Sequence, residues 1–156
     1  AAGGHQGRVA LFSCEGALNP PQEEEEETPP ILSWKAHKGW VSTVRFISSS
    51  SSYSKLLTSS NDGCVTLWDV TKQTRNSRGV EPKKLCCNSN LHSSGIFSMD
   101  VRNGKIITSS KDGSVVLSSL SDDGITSISS FTSQGCVVKS ANFRDDFVFC
   151  SAGNDA

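Results

Sequence analysis

The chain repeats one short sequence pattern, and this repetition limits the folds that it can adopt. The pattern appears as "SSNDGCVTLWDV" (59–70) and "SSKDGSVVLSSL" (109–120), with weaker copies in "GGHQGRVALF" (3–12) and "SAGNDA" (151–156). Gly7, Gly63 and Gly113 hold the same position, and the copies follow one another at intervals of roughly fifty residues. A period of this length indicates one structural unit repeated along the chain.

Each copy is predicted to form a strand, a tight turn and a second strand. Asp-Gly or a variant of it occupies the turn, where glycine supplies the positive φ of a tight hairpin and Asp bonds its own backbone. After the turn, apolar residues alternate with others, as in Val65 and Leu67 or Val115 and Leu117. An alternation with period two gives the strand one buried face.

A further strand is predicted before each of the last three hairpins. The segments "HKGWVSTVRF" (37–46), "HSSGIFSMDV" (92–101) and "QGCVVKSANF" (134–143) align without gaps. Short runs of Val, Ile, Leu and Phe stand between Gly, Asn, Asp and Ser, and long helical periodicity is absent. The sequence therefore predicts an all-β chain.

A His before a strand, then Asp-Gly, then a strand that closes on Trp-Asp resembles the WD-repeat family. Residues 37–69 carry this pattern in full, and the later copies are degenerate but in phase. The resemblance implies a β-propeller, in which each repeat supplies most of one four-stranded antiparallel blade. We expect a partial propeller, because about three repeats cannot close a ring of about four to eight blades.

The repeats predict the organisation of the chain. Residues 1–14 end a first blade, 15–30 form an acidic, Pro- and Glu-rich disordered insertion, 31–88 form the blade with the complete signature, 89–131 form a degenerate blade, and 132–156 start a truncated blade. We therefore expect the chain to be a fragment of a protein that begins before its first residue and continues past its last.

The resemblance also implies a hydrogen-bonded set within each blade, made of a His, a Ser or Thr, the turn Asp and the Trp. The predicted members are His37, Thr58 or Ser60, Asp62 and Trp68; then His92, Thr108 or Ser110, and Asp112, with Ser118 in place of Trp; then Ser151 and Asp155, with Gln134 in place of His. Their expected role is structural. A lost hydrogen bond costs only about 1 kcal/mol, so packing between blades can compensate for a missing Trp.

Partner binding is expected on the face that carries the His-containing loops and the turns, because the resemblance implies it. The candidate residues there are Lys35, Lys38, Trp40, Asn61 and Lys111. Trp40 aligns with Gly95 and Val137, so the fold does not require Trp at this position. A Trp at a rim makes a good binding hot spot, and packing against a neighbouring loop is the alternative.

Three segments interrupt the repeats and allow other interpretations. The five consecutive Glu within 15–30 predict either a solvated linker or a contact for a basic partner such as a histone tail. The Ser-rich stretch 48–54 is predicted to be a flexible loop that could accept phosphate. The basic stretch 71–84 is predicted to hold the outermost strand of the blade or its loop; such a loop is either solvated or a contact for nucleic-acid phosphates. In family members that bind cullin-ligase adaptors, a basic residue follows Trp-Asp by two places. Here Thr71 holds that place after Trp68-Asp69, and Lys72 comes one residue later, which argues against adaptor binding by this blade.

Composition excludes several classes of protein. The net charge of −1 supplies no global attraction to nucleic acid or anionic membranes. No apolar run approaches the roughly 18 residues of a membrane-spanning helix. The six cysteines form no C-x-x-C pair and have no zinc-site spacing, which favours free thiols in an intracellular protein, nuclear or cytoplasmic.

The functional hypothesis is a non-catalytic scaffold that mediates protein–protein interactions. No nucleophile, phosphate-binding or metalloprotease motif is present in the sequence, so we expect no enzyme activity, cofactor, metal or small-molecule substrate. The alternative hypothesis is a chromatin- or nucleic-acid-associated propeller that uses the basic stretch, with a cullin-ligase substrate receptor as one form of it.

Overall fold

The computed structural model describes residues 2–13, 29–49, 52–76, 79–121, 123–132 and 136–154. Every regular element in these ranges is a β-strand. The strands are β1 (Ala2–Gly3), β2 (Arg8–Leu11), β3 (Leu32–Lys35), β4 (Val41–Ser49), β5 (Ser52–Ser60), β6 (Val65–Asn76), β7 (Gly79–Asn88), β8 (Ile96–Arg102), β9 (Lys105–Ser110), β10 (Ser114–Leu120), β11 (Ile125–Thr132), β12 (Val138–Phe143) and β13 (Phe149–Gly153). Nothing in the described ranges forms a helix of the length and apolarity that a membrane crossing needs.

The strands form four antiparallel sheets that follow the order of the chain. Sheet I contains β1-β2-β3, sheet II contains β4-β5-β6-β7, sheet III contains β8-β9-β10-β11, and sheet IV pairs β12 with β13. Strands that are adjacent in a sheet are also adjacent in sequence, so each sheet is a meander of hairpins. None of the described sheets closes on itself. The prediction of an all-β chain is confirmed.

Sheets II, III and IV begin with the same backbone irregularity. Their first strands start at Val41, Ile96 and Val138, which are aligned positions of the sequence repeat. Directly after each of these residues, one extra residue bulges out of the pairing with the next strand. The bulged residues are Ser42, Phe97 and Lys139. The sequence repeat is therefore also a repeat of backbone geometry.

The hydrophobic core consists of layers between successive sheets. On β5, Leu56 belongs to the cluster between sheets I and II, and the adjacent Leu57 belongs to the cluster between sheets II and III. On β9, Ile106 belongs to the cluster between sheets II and III, and Ile107 belongs to the cluster between sheets III and IV. Adjacent side chains on a strand point to opposite faces, so these apolar pairs require a neighbouring sheet on each side. The four sheets therefore pack face to face in chain order.

The boundary that the sequence predicts at residue 31 differs from the boundary between the sheets. Leu32–Lys35 pairs with β2, with Val9 opposite Trp34, and so completes sheet I. Sheet II begins only at Val41. The two strands of this pairing are joined by the predicted acidic insertion, of which residues 15–28 lie outside the described residues. Periodicity alone could not assign β3 to the earlier sheet, because the pairing crosses this long connection.

The Ser-rich stretch and the basic stretch are mainly strands. In the Ser-rich stretch 48–54, β4 continues to Ser49, which pairs with Ser52 at the start of β5; residues 50–51 lie outside the described residues. In the basic stretch 71–84, β6 pairs with β7, the outermost strand of sheet II; residues 77–78 lie outside the described residues. The loop predicted over 48–54 was wrong, and of the two alternatives for 71–84 the structure mainly forms the strand. Ladder hydrogen bonds come from the backbone, and a polar side chain does not prevent them.

The turn at Gly7 lies against sheet II so closely that a side chain would not fit. Its φ is +69°, and a Cβ added there would lie 2.2 Å from the carbonyl oxygen of His37. Gly104 has almost the same φ, +71°, but its nearest neighbour, the carbonyl oxygen of Leu120, would be 3.8 Å away. A side chain at Gly104 would therefore meet only backbone strain. A side chain at Gly7 would meet the same strain and also a steric clash with the loop before sheet II.

We predict that Gly7→Ala destabilises the protein more than the matched variant Gly104→Ala. Gly104→Ala should lower the free energy of unfolding by about 1 kcal/mol, the cost of a left-handed conformation. Gly7→Ala should add about 2 kcal/mol through the clash with the backbone beside His37. Chemical denaturation measures both values. Equal losses for the two variants would contradict the close approach of this turn to sheet II.

Candidate functional site

Loops and turns from several sheets meet at one end of the molecule, which we call the rim. Its segments are 4–7, 36–40, 61–64, 93–95 and 111–113. Backbone hydrogen bonds join them: the N–H of His37 donates to the carbonyl of Gly7 (3.0 Å), that of Asn61 to Trp40 (3.0 Å), and that of Lys111 to Gly95 (2.9 Å). The first of these bonds connects sheet I to the loop that precedes sheet II.

A buried hydrogen-bonded network holds the rim of sheet II. The hydroxyl of Thr58 accepts from the indole N–H of Trp68 (3.0 Å) and lies 2.8 Å from Nε2 of His37. Nδ1 of His37 lies 3.4 Å from a carboxylate oxygen of Asp62. The other oxygen of Asp62 accepts from the backbone N–H of Lys38 (2.8 Å). The structure thus brings these four predicted side chains together and ties them to the 36–40 loop.

The imidazole of His37 is neutral in this network. Burial lowers its pKa below the usual 6.5, and the positive charge of Lys84 acts in the same direction, while Asp62 opposes them. A proton on Nδ1 faces the Asp62 carboxylate and leaves Nε2 to accept from the Thr58 hydroxyl. Burial alone would raise the pKa of Asp62, but backbone hydrogen bonds, beginning with that from Cys64, and the neighbouring His37 hold it below 3.8.

Sheet III has a related network that contains one different member. Nε2 of His92 lies 2.8 Å from the hydroxyl of Thr108, as in sheet II. Nδ1 of His92 lies 2.8 Å from the hydroxyl of Ser114, which donates to a carboxylate oxygen of Asp112 (2.6 Å). Burial also lowers the pKa of His92, so this imidazole is neutral. Ser114 was missed by the sequence analysis; its position directly after the turn glycine is the signal that could have indicated it.

The choice that the sequence left between Thr and Ser is settled by distance. Ser60 and Ser110 do not contact the imidazoles; each hydroxyl accepts from the backbone N–H of the turn Asp two residues later (both 3.1 Å). Ser118 takes the place that Trp68 has in sheet II, opposite Ile106 on β9. Its hydroxyl is buried and has no partner in the part of the chain that the structure describes. Of the fourth predicted set, Ser151 is exposed on β13, and residues 134 and 155 lie outside the described ranges.

The five predicted partner-binding residues all lie at the rim or directly beside it. Lys35, Lys38, Asn61 and Lys111 are exposed, and Trp40 is half-buried. The ammonium group of Lys35 donates to the carbonyl of Gln6 in the sheet I turn. Asn61 fills the space above Gly95, where a Cβ would lie 2.2 Å from its amide oxygen.

Trp40 belongs to a row of ring contacts that crosses the rim. Its ring stacks on His5 (centroids 6.2 Å apart, 25° between planes) and meets Phe97 on the other side (6.0 Å, 58°). The ammonium group of Lys139 lies 4.2 Å from the centroid of Phe97. We call these four residues, one from each successive sheet or the loop before it, the aromatic row.

The sequence analysis found Trp40 but missed the other members of the aromatic row. Phe97 and Lys139 are the bulged residues of β8 and β12, and a bulge re-aims the side chain that it carries. Phe97 aligns with Ser42 in the repeat, so its large ring is an exception to the pattern and could have been noticed. The predicted alternative for Trp40, packing against neighbouring loops, is also visible, because its ring contacts His5 and Phe97.

Neither a metal site among the described residues nor a similar protein sequence is found. Within the described ranges, no group of three or more His, Cys, Asp or Glu side chains has an arrangement that could hold a metal ion. The chain matches no protein-family model and no curated protein sequence.

The two neutral histidines should make stability depend on pH. The pKa of His37 and His92 is lowered in the folded state, so the unfolded chain binds more protons once the pH falls below about 6.5. We predict that the free energy of unfolding falls by up to about 1.4 kcal/mol per pH unit for each histidine, until the folded-state pKa is reached. The lowered pKa of Asp62 and Asp112 continues the loss below 3.8.

Denaturation midpoints measured through this window test the prediction. His92→Gln should flatten the slope, because it removes one of the two imidazoles that take up a proton on unfolding. A stability that stays constant as the pH falls below 6.5 would show that the two imidazoles are not held in the neutral form.

Proposed function

We propose that the chain is part of a WD-repeat β-propeller that acts as a non-catalytic scaffold for other proteins. The observation that carries this proposal is the aromatic row at the rim, a surface that spans four successive sheets. Aromatic side chains are enriched at protein interfaces, where they supply most of the binding energy. The row is partly accessible, since Trp40 and Phe97 are half-buried and His5 and Lys139 are exposed.

The propeller architecture is supported by the way in which the sheets repeat. Sheets II and III are four-stranded meanders packed face to face in chain order, as neighbouring blades of a propeller are, and both open on the same bulge. The networks of His37 and His92 fit a structural role. Their polar atoms bond to one another inside the sheets, and both imidazoles are buried together with the Thr58 and Thr108 hydroxyls that they contact.

The nucleic-acid-associated alternative, including a role as a cullin-ligase substrate receptor, has weaker support. The basic stretch 71–84 forms a hairpin without an aromatic residue on which a base could stack. Lys72 lies 3.4 Å from the carboxylate of Asp69, which offsets its charge. An intracellular location, nuclear or cytoplasmic, remains part of the proposal, and the absence of a C-x-x-C pair and of zinc-site spacing from the sequence is in keeping with it.

We predict that Trp40→Ala removes partner proteins while the fold is retained. The tagged protein would be purified from its own cells and the accompanying proteins identified by mass spectrometry. Truncating a hot-spot Trp costs about 2 kcal/mol or more of binding energy, so at least one partner should be reduced about thirtyfold. Ile128→Ala is the matched control, because Ile128 is a large exposed apolar residue (54% exposed) on β11.

Thermal denaturation must first show that both variants fold like the wild type. If the wild-type protein enriches no protein, or if Trp40→Ala recovers the same partners as Ile128→Ala, the proposed binding surface is wrong.

A further inference from the structure

A pocket lined by lysines lies beside the rim, between sheets I and II. Its volume is about 560 Å³, and its lining comes from the end of β3, the 36–38 loop, the sheet II turn and the strands β6 and β7. The residues used in the argument are Lys35, Lys38, Lys84, Asp62, Cys64 and Cys87. We call this concavity the lysine pocket. Its size falls within the range of pockets that enclose a small ligand or a few side chains.

We propose that the lysine pocket binds an acidic segment of a partner protein, a deepening that rests on the proposed scaffold function. The lysine ammonium groups outnumber the single carboxylate among the lining residues, that of Asp62. An extended peptide that carries Glu or Asp would place its carboxylates among the lysines, where charge-assisted hydrogen bonds are stronger than neutral ones.

The carboxylate of Asp62 offsets one of the three lysine charges and leaves a net positive charge for an incoming ligand. One oxygen accepts from the backbone N–H of Cys64 (3.0 Å) and faces Nδ1 of His37. The other accepts from the backbone N–H of Lys38 (2.8 Å). Both oxygens of Asp62 are therefore bonded to the sheet II turn and to the loop before sheet II, and the excess of lysines over carboxylates can bind a second anion.

Two cysteines also line the pocket. Burial, followed by the charge of Asp62, raises the pKa of Cys64 to about 12, so this residue stays a neutral thiol. The sulfur of Cys87 accepts from the hydroxyl of Thr66 (3.3 Å). Cys64 therefore adds no negative charge to the positive charge of the lysines.

The surroundings of the pocket favour a peptide over a nucleic acid. The net charge of the chain is −1, whereas non-specific binding to nucleic acid depends on neutralising several phosphates at once. Lys38 of the lysine pocket and Trp40 of the aromatic row lie two residues apart on the same loop. A segment with acidic residues next to an apolar one could contact both surfaces together.

The test is a binding titration of the purified protein with a fluorescein-labelled oligoglutamate peptide, followed by fluorescence anisotropy. Lys38→Gln and Lys84→Gln remove a charge from the pocket and should each weaken binding about fivefold. Arg144→Gln is the matched control, because this exposed cation lies after β12, outside the pocket lining, and its loss should leave the affinity unchanged. Added salt should weaken the binding of the wild type.

Three results would overturn the proposal. The first is the lack of saturable binding, and the second is an equal loss of affinity for Arg144→Gln and Lys84→Gln. The third is tighter, Lys84-dependent binding of a single-stranded oligonucleotide with the same charge. Purification from cells separates this proposal from the scaffold function. If Trp40→Ala loses protein partners that Lys84→Gln retains, the scaffold function stands and the lysine pocket does not.

Discussion

The buried hydroxyl of Thr58 is the point on which the geometry of the rim depends. It joins Trp68 on β6 to His37, which is linked through Asp62 to the backbone of the 36–40 loop. The side chains of this hydrogen-bonded network are buried or half-buried. Removing one of them therefore leaves its partner with an unpaired polar atom, which lowers the stability of the fold. Trp40 follows His37 by three residues, and the candidate binding surface is therefore fixed from inside sheet II.

Sheet III shows how the same loop geometry persists when one member of the network is lost. Ser118 leaves a buried hydroxyl without a partner in the described structure, while Ser114 adds a hydrogen bond between His92 and Asp112. The apolar residues of sheet III pack against sheets on both sides, which stabilises it independently of the Trp. The signature residue can thus disappear from a repeat whose strands and rim turn remain.

Local sequence patterns predicted the features of the fold that depend on local chemistry. The turn glycines and the period-two alternation indicated the hairpins, and the gapless alignment of residues 37, 92 and 134 placed the first strands of three sheets. The rest depends on contacts distant in sequence. Three features show this: the pairing of β3 with β2, the hairpin within 71–84, and the contact of Phe97 with Trp40. Each is decided by tertiary contacts, which leave no periodic pattern in a single sequence.

The central claim, that Thr58 holds the indole of Trp68, is tested most directly by NMR measurement of indole N–H exchange. The chain has three Trp, and Trp→Phe variants would assign their signals. We expect the indole N–H of Trp68 to exchange far more slowly than that of the half-buried Trp40. Thr58→Val should accelerate the exchange of the Trp68 indole N–H much more than that of Trp34. The indole N–H of Trp34 is buried and has no partner in the described structure, so it does not depend on Thr58. Exchange of Trp68 as fast as that of Trp40, or exchange unaffected by Thr58→Val, would contradict the account.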